Sequence, residues 1–197
     1  MERFEFKTVA HACAAKGGEG EEFISSIAFS CRSTYIVGME ATMTAQTVAD
    51  DILKIAKRRG MSLTPMQLMK LVYISYGWYL AMHNAKLFND RIEAWKYGPV
   101  IPTLYQSTKR FGRNEIPLEL IADGPISDPR MEAFYDSIVG NYGQYSGIAL
   151  SNLTHRQGTP WQQVFKPNVM GIQIPDDLIT AHYQQGLDAR RTASTPA

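Results

Sequence analysis

Cysteine is scarce in this 197-residue chain, and the two that are present, Cys13 and Cys31, both lie near its start. Two thiols are too few for a disulfide framework or for a four-cysteine zinc site. The composition therefore favours a reducing compartment, and we expect the protein to be cytoplasmic.

An excess of either charge is also missing. Twenty Lys and Arg residues against nineteen Asp and Glu residues give a formal net charge of +1. A chain with this balance lacks the broad positive field with which proteins attract phosphate backbones. Nucleic acid is therefore not an expected partner.

Apolar runs are too short to cross a membrane. The most apolar uncharged run covers residues 71–85, against the roughly 20 residues that a membrane-spanning helix needs, and it contains His83 and Asn84. The chain opens with charged residues where a secretory signal needs an apolar stretch. We expect no membrane partner and no export.

Motifs for cofactors and catalysis are absent too. The sequence contains no glycine-rich phosphate loop or dinucleotide fingerprint, and its four histidines are not spaced as metal ligands. We therefore expect no cofactor, no metal ion and no catalytic residue. The acidic pairs, Asp50 with Asp51 and Asp176 with Asp177, lie at predicted helix N-termini, where the helix dipole accounts for them.

Three segments differ in composition. Residues 1–42 contain closely spaced glycines, clustered acidic residues and little helical periodicity. We expect them to be an N-terminal extension that is weakly structured or that precedes a natural start at Met43. Residues 43–185 carry sharp helical patterns and form the expected domain, and residues 186–197 are predicted to be a flexible tail.

Start and stop signals predict two helices at the beginning of the domain. Thr47 is the predicted N-cap of the first helix, which ends at Gly60. A capping box at Thr64 begins the second, predicted over residues 65–83. This second helix is apolar around most of its circumference, which is typical of a helix at the centre of a domain, and its Trp78 is expected in the core.

The rest of the domain is also predicted to be mainly helical. Residues 92–97 can form a short strand or an extended loop, which Gly98 and Pro99 are predicted to end. The expected fold is a compact, mainly α domain with a central buried helix and at most a short strand or hairpin. The further helices are predicted at 102–111, 129–142, 146–154, 161–165 and 175–185.

Several residues allow a structural and a functional interpretation. His155 is either a general base or partner contact, or its ring bonds a backbone carbonyl and closes a turn on which Trp161 packs. The structural alternative is favoured because the pattern offers no nucleophile or orienting carboxylate nearby. The stretch from Trp95 to Pro99 is either a recognition surface or a set of core aromatics, and both alternatives stay open. The basic residues at 54–59 end a helix, where solvated cations are routine.

Several strings in a fixed order resemble a known family. In chain order they are LMKLVY at 68–73, GWYL at 77–80, LF at 87–88, EAWKYGPV at 93–100, LS at 150–151, TH at 154–155 and PW at 160–161. Over about residues 43–185 this order and spacing resembles the Panacea domain family, which includes SocA-like antitoxins and phage-associated GepA proteins. The residues of these strings that we expect to be structural are Trp78, Trp95, Gly98, Pro99, His155 and Trp161.

What the resemblance implies is a mainly helical prokaryotic antitoxin that neutralises its cognate toxin by direct protein contact. The alternative, implied by the SocA branch, is a proteolytic adaptor that delivers the toxin to an unfoldase-protease. The implied partner is thus a toxin protein, joined in the second case by the protease. Neither activity needs a catalytic residue.

Candidate partner-binding residues are polar-tipped side chains beside rigid turns, because protein interfaces depend on a few aromatic or arginine anchors. Lys96 and Tyr97 fit this description beside the predicted turn. Arg110, Phe111 and Arg113 fit it at the end of the third predicted helix. We expect the toxin to contact these five residues.

Overall fold

The computed structural model describes the backbone of residues 43–193 and the side chains of residues 43–189. Over this range the chain is mainly helical, and its only sheet is a two-stranded antiparallel hairpin. The predicted fold class is therefore confirmed. The predictions for residues 1–42 lie outside the described residues. Within the described part of the chain, no helix is both long and apolar enough to cross a membrane.

Seven α-helices and two strands make up the described domain. Three-residue 3-10 turns at Lys109–Phe111, Leu118–Leu120 and Pro129–Met131 lie between helices. The strands are β1 (Glu93–Trp95) and β2 (Gly98–Val100). The helices are α1 (Ala45–Arg58), α2 (Pro65–His83), α3 (Pro102–Thr108), α4 (Glu132–Tyr142), α5 (Gly147–Thr154), α6 (Pro160–Val164) and α7 (Asp176–Ala193).

Helix α2 lies at the centre of the domain, as predicted. It contacts α1, α3, α4, α5, α7 and β2. Every residue from 68 to 78 is buried, so no face of this segment meets solvent. The predicted capping box is also confirmed, because the Thr64 side chain accepts a hydrogen bond from the Gln67 amide and the Gln67 side chain accepts one from the Thr64 amide.

A glycine in the middle of α2 lets α7 approach closely. A Cβ atom at Gly77 would lie 2.1–2.5 Å from ring atoms of Tyr183, so a larger residue would force the ring away. The same tyrosine ring meets Trp78 edge-on, with centroids 5.1 Å apart. These contacts hold α7 against the central helix.

Four helix boundaries differ from the predictions by three residues or more. The end of α3 and the start of α4 differ because residues 109–111 and 129–131 form 3-10 turns. Helix α1 begins one turn early because Thr44, and not Thr47, is its N-cap: Thr44 Oγ1 accepts a hydrogen bond from the Thr47 amide at 3.1 Å. Helix α7 continues to Ala193 instead of ending near Gln185, since residues 186–193 contain no proline and are mostly good helix formers. The start of the predicted tail therefore falls inside a helix.

The prediction that Gly98 and Pro99 end the extended segment is wrong, because they form the return strand β2. Pro99 lies opposite Ala94, and it has no amide hydrogen to donate. The Ala94 amide bonds on the other side of β1, to the Ile172 carbonyl at 2.8 Å. Segment 172–174 therefore flanks β1, while β2 is an edge strand that meets α2.

One residue of each acidic pair, Asp51 and Asp176, makes side-chain hydrogen bonds that an interaction with the helix dipole does not describe. Asp51 is fully buried in the second turn of α1, and its Oδ1 accepts hydrogen bonds from the amide and hydroxyl of Ser127 at 2.9 and 3.0 Å. The dipole interpretation is thus wrong for Asp51, because α1 starts earlier than predicted. Asp176 does begin α7, and it also accepts a hydrogen bond from the Tyr76 hydroxyl at 2.8 Å.

The basic residues at the end of α1 hold neighbouring segments. Their cations contact carboxylates, so each of these positive charges already has a partner within the domain. The pairs are Lys54 with Asp51 (3.6 Å), Lys57 with Asp123 (2.7 Å), Arg58 with Glu132 (2.6 Å) and Arg59 with Asp136 (2.6 Å).

Candidate functional site

The hairpin of β1 and β2 is fixed from three directions. The carbonyls of every second residue along the turn accept hydrogen bonds from side chains. Each of these side chains comes from a different helix. The bonds run from Trp161 Nε1 to the Trp95 carbonyl (2.7 Å), from Ser151 Oγ to the Tyr97 carbonyl (2.9 Å) and from Lys70 Nζ to the Pro99 carbonyl (2.8 Å). We call these three donors the hairpin anchors. They come from α6, α5 and α2, so the position of the turn depends on all three helices.

Lys70 is unusual among the anchors because its ammonium group is buried without a carboxylate. The side chain is 1% exposed, and within the described residues no ion pair reaches it. Burial lowers the pKa of Lys70 from 10.5 to about 7, because the charged form loses its hydration. Its hydrogen bond satisfies the Pro99 carbonyl. Because α2 covers the β2 edge, this carbonyl would otherwise be buried without a donor.

Polar atoms from three side chains crowd against Gly98. A Cβ atom there would lie 2.6 Å from Lys70 Nζ, 2.8 Å from Thr154 Oγ1 and 3.2 Å from His155 Nε2. The φ angle of Gly98 is +103°, a backbone conformation that residues with a Cβ atom rarely adopt. Both the close approach and the backbone angle therefore require glycine at this turn.

His155 packs in an aromatic stack. Its ring lies on Trp161 with centroids 3.9 Å apart, and Trp161 lies on Phe165 at 4.5 Å. The predicted packing is confirmed, but the predicted carbonyl bond is not made by Nε2, which is buried with no hydrogen-bond partner among the described residues. Burial, and then the positive charge of Lys70, lower the pKa of His155. The neutral ring is therefore favoured in the fold.

The Lys70 and Thr154 donors of this cluster bond backbone carbonyls and not the imidazole of His155. Thr154 Oγ1 donates to the Ser151 carbonyl at 2.8 Å and does not bond to the imidazole. The Lys70 amine is enclosed and points at a backbone carbonyl. Over the described residues, no three His, Cys, Asp or Glu side chains lie together in a way that could hold a metal ion.

The outer side of the hairpin exposes aromatic and basic side chains. Tyr97 at the turn is 60% exposed, and Lys96 Nζ lies 5.4 Å from the centre of its ring. Trp95 is half-buried: its Nε1 donates to Glu93 at 2.9 Å, and its ring meets Tyr105 of α3 edge-on at 5.0 Å. The core-aromatic alternative is therefore wrong for the exposed Tyr97 and holds only in part for the half-buried Trp95, while the recognition surface stays a prediction.

The other three predicted partner residues lie near a groove between α1 and α3. Arg110 and Phe111 line this groove together with Gln46 and Asp50 of α1, and its volume is about 420 Å³. The Arg110 guanidinium carbon lies 4.7 Å from the centre of the Phe111 ring. Arg113 is exposed just beyond the 3-10 turn. The five predicted residues thus occupy two surfaces, the hairpin and the groove.

Sequence reasoning did not identify Lys70, Ser151 or Tyr105 as part of this site. For Lys70 a signal exists, because a single lysine within a helix that is apolar on all sides must find a buried acceptor. Ser151 and Tyr105 offer no such signal, since their partners are decided by how the helices pack.

A family comparison covers the same residues. Residues 68–162 match the family described as "Antitoxin SocA-like, Panacea domain". Over this range the chain resembles a Panacea domain. The matched range begins two residues before Lys70 and ends one residue after Trp161, so it contains the hairpin and all three of its anchors.

A named antitoxin is similar to this chain. Antitoxin SocA of Caulobacter vibrioides (strain NA1000 / CB15N) is 27% identical over 154 residues, which cover 71% of this chain and 82% of SocA. No solved structure matches the chain significantly. The predicted resemblance to the Panacea domain family and its SocA-like antitoxins is confirmed.

Proposed function

We propose that this protein is a member of the Panacea domain family, that it is the antitoxin of a toxin–antitoxin pair, and that it neutralises its cognate toxin in the cytoplasm by direct protein contact. The observation that carries the proposal is the match to an antitoxin family over the whole of the anchored hairpin. The hairpin has the physical character that direct contact needs, a fixed backbone with exposed aromatic and basic side chains.

The geometry favours binding over catalysis. A substrate has no access to the Lys70 amine, which is 1% exposed, or to the buried Nε2 atom of His155. A general base must lie within hydrogen-bond reach of the proton that it removes. We therefore propose a non-enzymatic role.

The decisive experiment co-expresses the product of the neighbouring open reading frame with and without this chain. We expect that product to stop growth when alone, and growth to recover when the full-length chain is present and co-purifies with it. Failure of the chain to restore growth would contradict the proposed function.

The half-life of the toxin in the same cells separates the two modes of neutralisation. A toxin that is stable but inhibited supports sequestration by direct binding. A toxin that disappears faster in the presence of the chain supports the alternative, delivery to an unfoldase-protease.

The substitution His155→Gln tests the remaining enzymatic alternative. We expect protection of the cells to be unchanged, because glutamine is polar and of similar size but cannot act as a general base. Lost protection with an unchanged melting temperature would instead support a hydrolytic role for His155.

The proposed toxin contacts are Lys96, Tyr97, Arg110, Phe111 and Arg113. One charge reversal on each surface, Lys96→Glu together with Arg110→Glu, tests them as a group. Lost neutralisation with an unchanged melting temperature supports contact at these surfaces. Full neutralisation by the doubly substituted chain would place the interface elsewhere.

A further inference from the structure

The hairpin, α3 and the start of the 3-10 turn after α3 expose aromatic rings and two lysine side chains. Lys109 lies one turn after Tyr105, since its amide bonds the Tyr105 carbonyl, and the Tyr105 ring meets Trp95. Lys96 and Tyr97 follow Trp95 directly. We call the five residues Trp95, Lys96, Tyr97, Tyr105 and Lys109 the hairpin face.

The cations of the hairpin face are not neutralised within the described part of the chain. Neither Lys96 nor Lys109 forms an ion pair there, whereas the four basic residues at 54–59 all do. Two further charges adjoin the face. Glu93 contacts Trp95, and the exposed Arg91 lies two residues earlier in the same extended segment, where alternation places it on the same side. Three cations therefore stand against one carboxylate.

The segment that flanks β1 also exposes an apolar side chain. The segment that flanks β1 runs antiparallel to it with Gln173 opposite Glu93, so residues before Gln173 run toward the hairpin turn. Among them Met170 is 83% exposed. Exposed methionine and tyrosine side chains are both enriched at protein interfaces.

The backbone beneath the hairpin face is already held in place. The carbonyls of residues 95, 97 and 99 are each bonded by an anchor, at 2.7, 2.9 and 2.8 Å. A surface that is ordered before binding loses less conformational freedom when a partner docks. The loop that lines the groove is held by one helix in the described residues, because Lys54 and Lys57 of α1 donate to the Pro125 and Ile121 carbonyls.

We infer that the hairpin face is the main docking surface for the toxin and that it recognises an acidic surface of that protein. This inference rests on the proposed function and names the chemistry of its partner. Tyr97 and Tyr105 supply the aromatic anchors, while Lys96 and Lys109 attract and orient carboxylates.

The test uses the full-length chain and the purified product of the neighbouring open reading frame. Dissociation constants are measured at low and high ionic strength by calorimetry, and melting temperatures are recorded for every variant. The first variant carries Lys96→Glu with Lys109→Glu. A matched control carries Lys86→Glu with Arg130→Glu, which reverses the same number of positive charges outside the face, on cations that are 55% and 57% exposed.

We expect the first variant to bind about 100-fold more weakly at low ionic strength and to lose most of the salt dependence of binding. The control should stay within about threefold of the parent, because neither reversed charge lies on the hairpin face and charges farther away are screened. Tyr97→Ala should weaken binding about tenfold, while Tyr97→Phe keeps the ring and most of the affinity.

Three outcomes would overturn the inference while leaving the proposed function intact. One is parental affinity in the Lys96→Glu, Lys109→Glu variant, and another is an equal loss in the control. The third concerns a short DNA duplex. If the Lys96→Glu, Lys109→Glu variant no longer binds the duplex but binds the toxin as the parent does, the face would be assigned to nucleic acid. A parent chain that does not bind the toxin at all would instead contradict the proposed function, and this inference with it.

Discussion

Lys70 holds a sheet edge at some expense of stability. Its pKa falls from 10.5 in the unfolded chain to about 7 in the fold. Between these values the unfolded chain binds a proton that the folded chain does not, so stability rises as the pH increases through this window. At and below about pH 7 the unfavourable burial of the charge is fully present.

Replacing Lys70 by Met should remove this pH dependence. In the parent chain we expect the free energy of unfolding to increase by up to about 3 kcal/mol between about pH 7 and about pH 9.5. Lys70→Met should lose most of that increase, because it has no proton to bind. Denaturant titrations at both pH values measure the effect, with the exposed Lys86→Met as the control. An equal increase in the parent and in Lys70→Met would contradict the assignment.

Trp78 is a second residue whose contacts predict a measurable loss. It is 3% exposed, its Nε1 donates to the Tyr142 hydroxyl at 3.2 Å, and its ring meets Tyr183. Trp78→Ala should lower the free energy of unfolding by about 3 to 5 kcal/mol. Thermal or denaturant unfolding measures it, and Tyr97→Ala, which truncates an exposed ring, is the matched control. A Trp78→Ala chain that melts like the parent would show that α2 is not central.

At the scale of elements, the hairpin depends on its glycine. Gly98 combines a φ angle of +103° with three polar atoms that leave no room for a Cβ atom. Gly124 shows the effect of the backbone angle without that of crowding. Its φ angle is +120°, and no atom lies within 4 Å of a Cβ atom built there.

Alanine at these two positions should therefore have different effects. Gly124→Ala should destabilise the chain by about 1 to 2 kcal/mol through its backbone angle alone. Gly98→Ala should lose roughly 1 to 3 kcal/mol more, because Lys70, Thr154 and His155 must move away. Denaturant unfolding compares the two, and equal losses would mean that crowding at Gly98 has no energetic effect.

The elements themselves were predicted unevenly. The start of α2 follows from its capping box, and the helix predicted from Ser146 is α5, which begins one residue later with Ser146 as its N-cap. The N-cap of α1 was placed one turn late because Thr44 and Thr47 are both good caps, and local sequence does not choose between them. The chosen cap is supported by a distant contact, since the Ala45 amide donates to Asp90 at 2.8 Å.

At the scale of the whole molecule, that contact joins the first described helix to the rest of the domain. Asp90 accepts the Ala45 amide through one oxygen and the Thr103 hydroxyl, at 2.6 Å, through the other. The carboxylate thus joins the start of α1 to the start of α3. All of these groups lie after Met43.

A shortened chain that begins at Met43 should fold and neutralise the toxin as well as the full chain does. A chain that begins at Ala49 loses the Thr44 cap and the contact with Asp90, and it should melt at a lower temperature. Melting curves and the growth assay measure both chains. Lower stability or protection in the chain that begins at Met43 would show that residues 1–42 contribute to the domain.

The sequence alone determined the helical class, the central helix and the family resemblance, because caps, periodicity and short strings lie within a few neighbouring residues. It also proposed Lys96 and Tyr97 as exposed candidates beside a turn. Only the tertiary structure decided what fixes that turn. The anchor bonds join residues that are 29, 54 and 66 positions apart in the chain. Bonds over such separations depend on how three helices pack around the hairpin, and no local pattern records that packing.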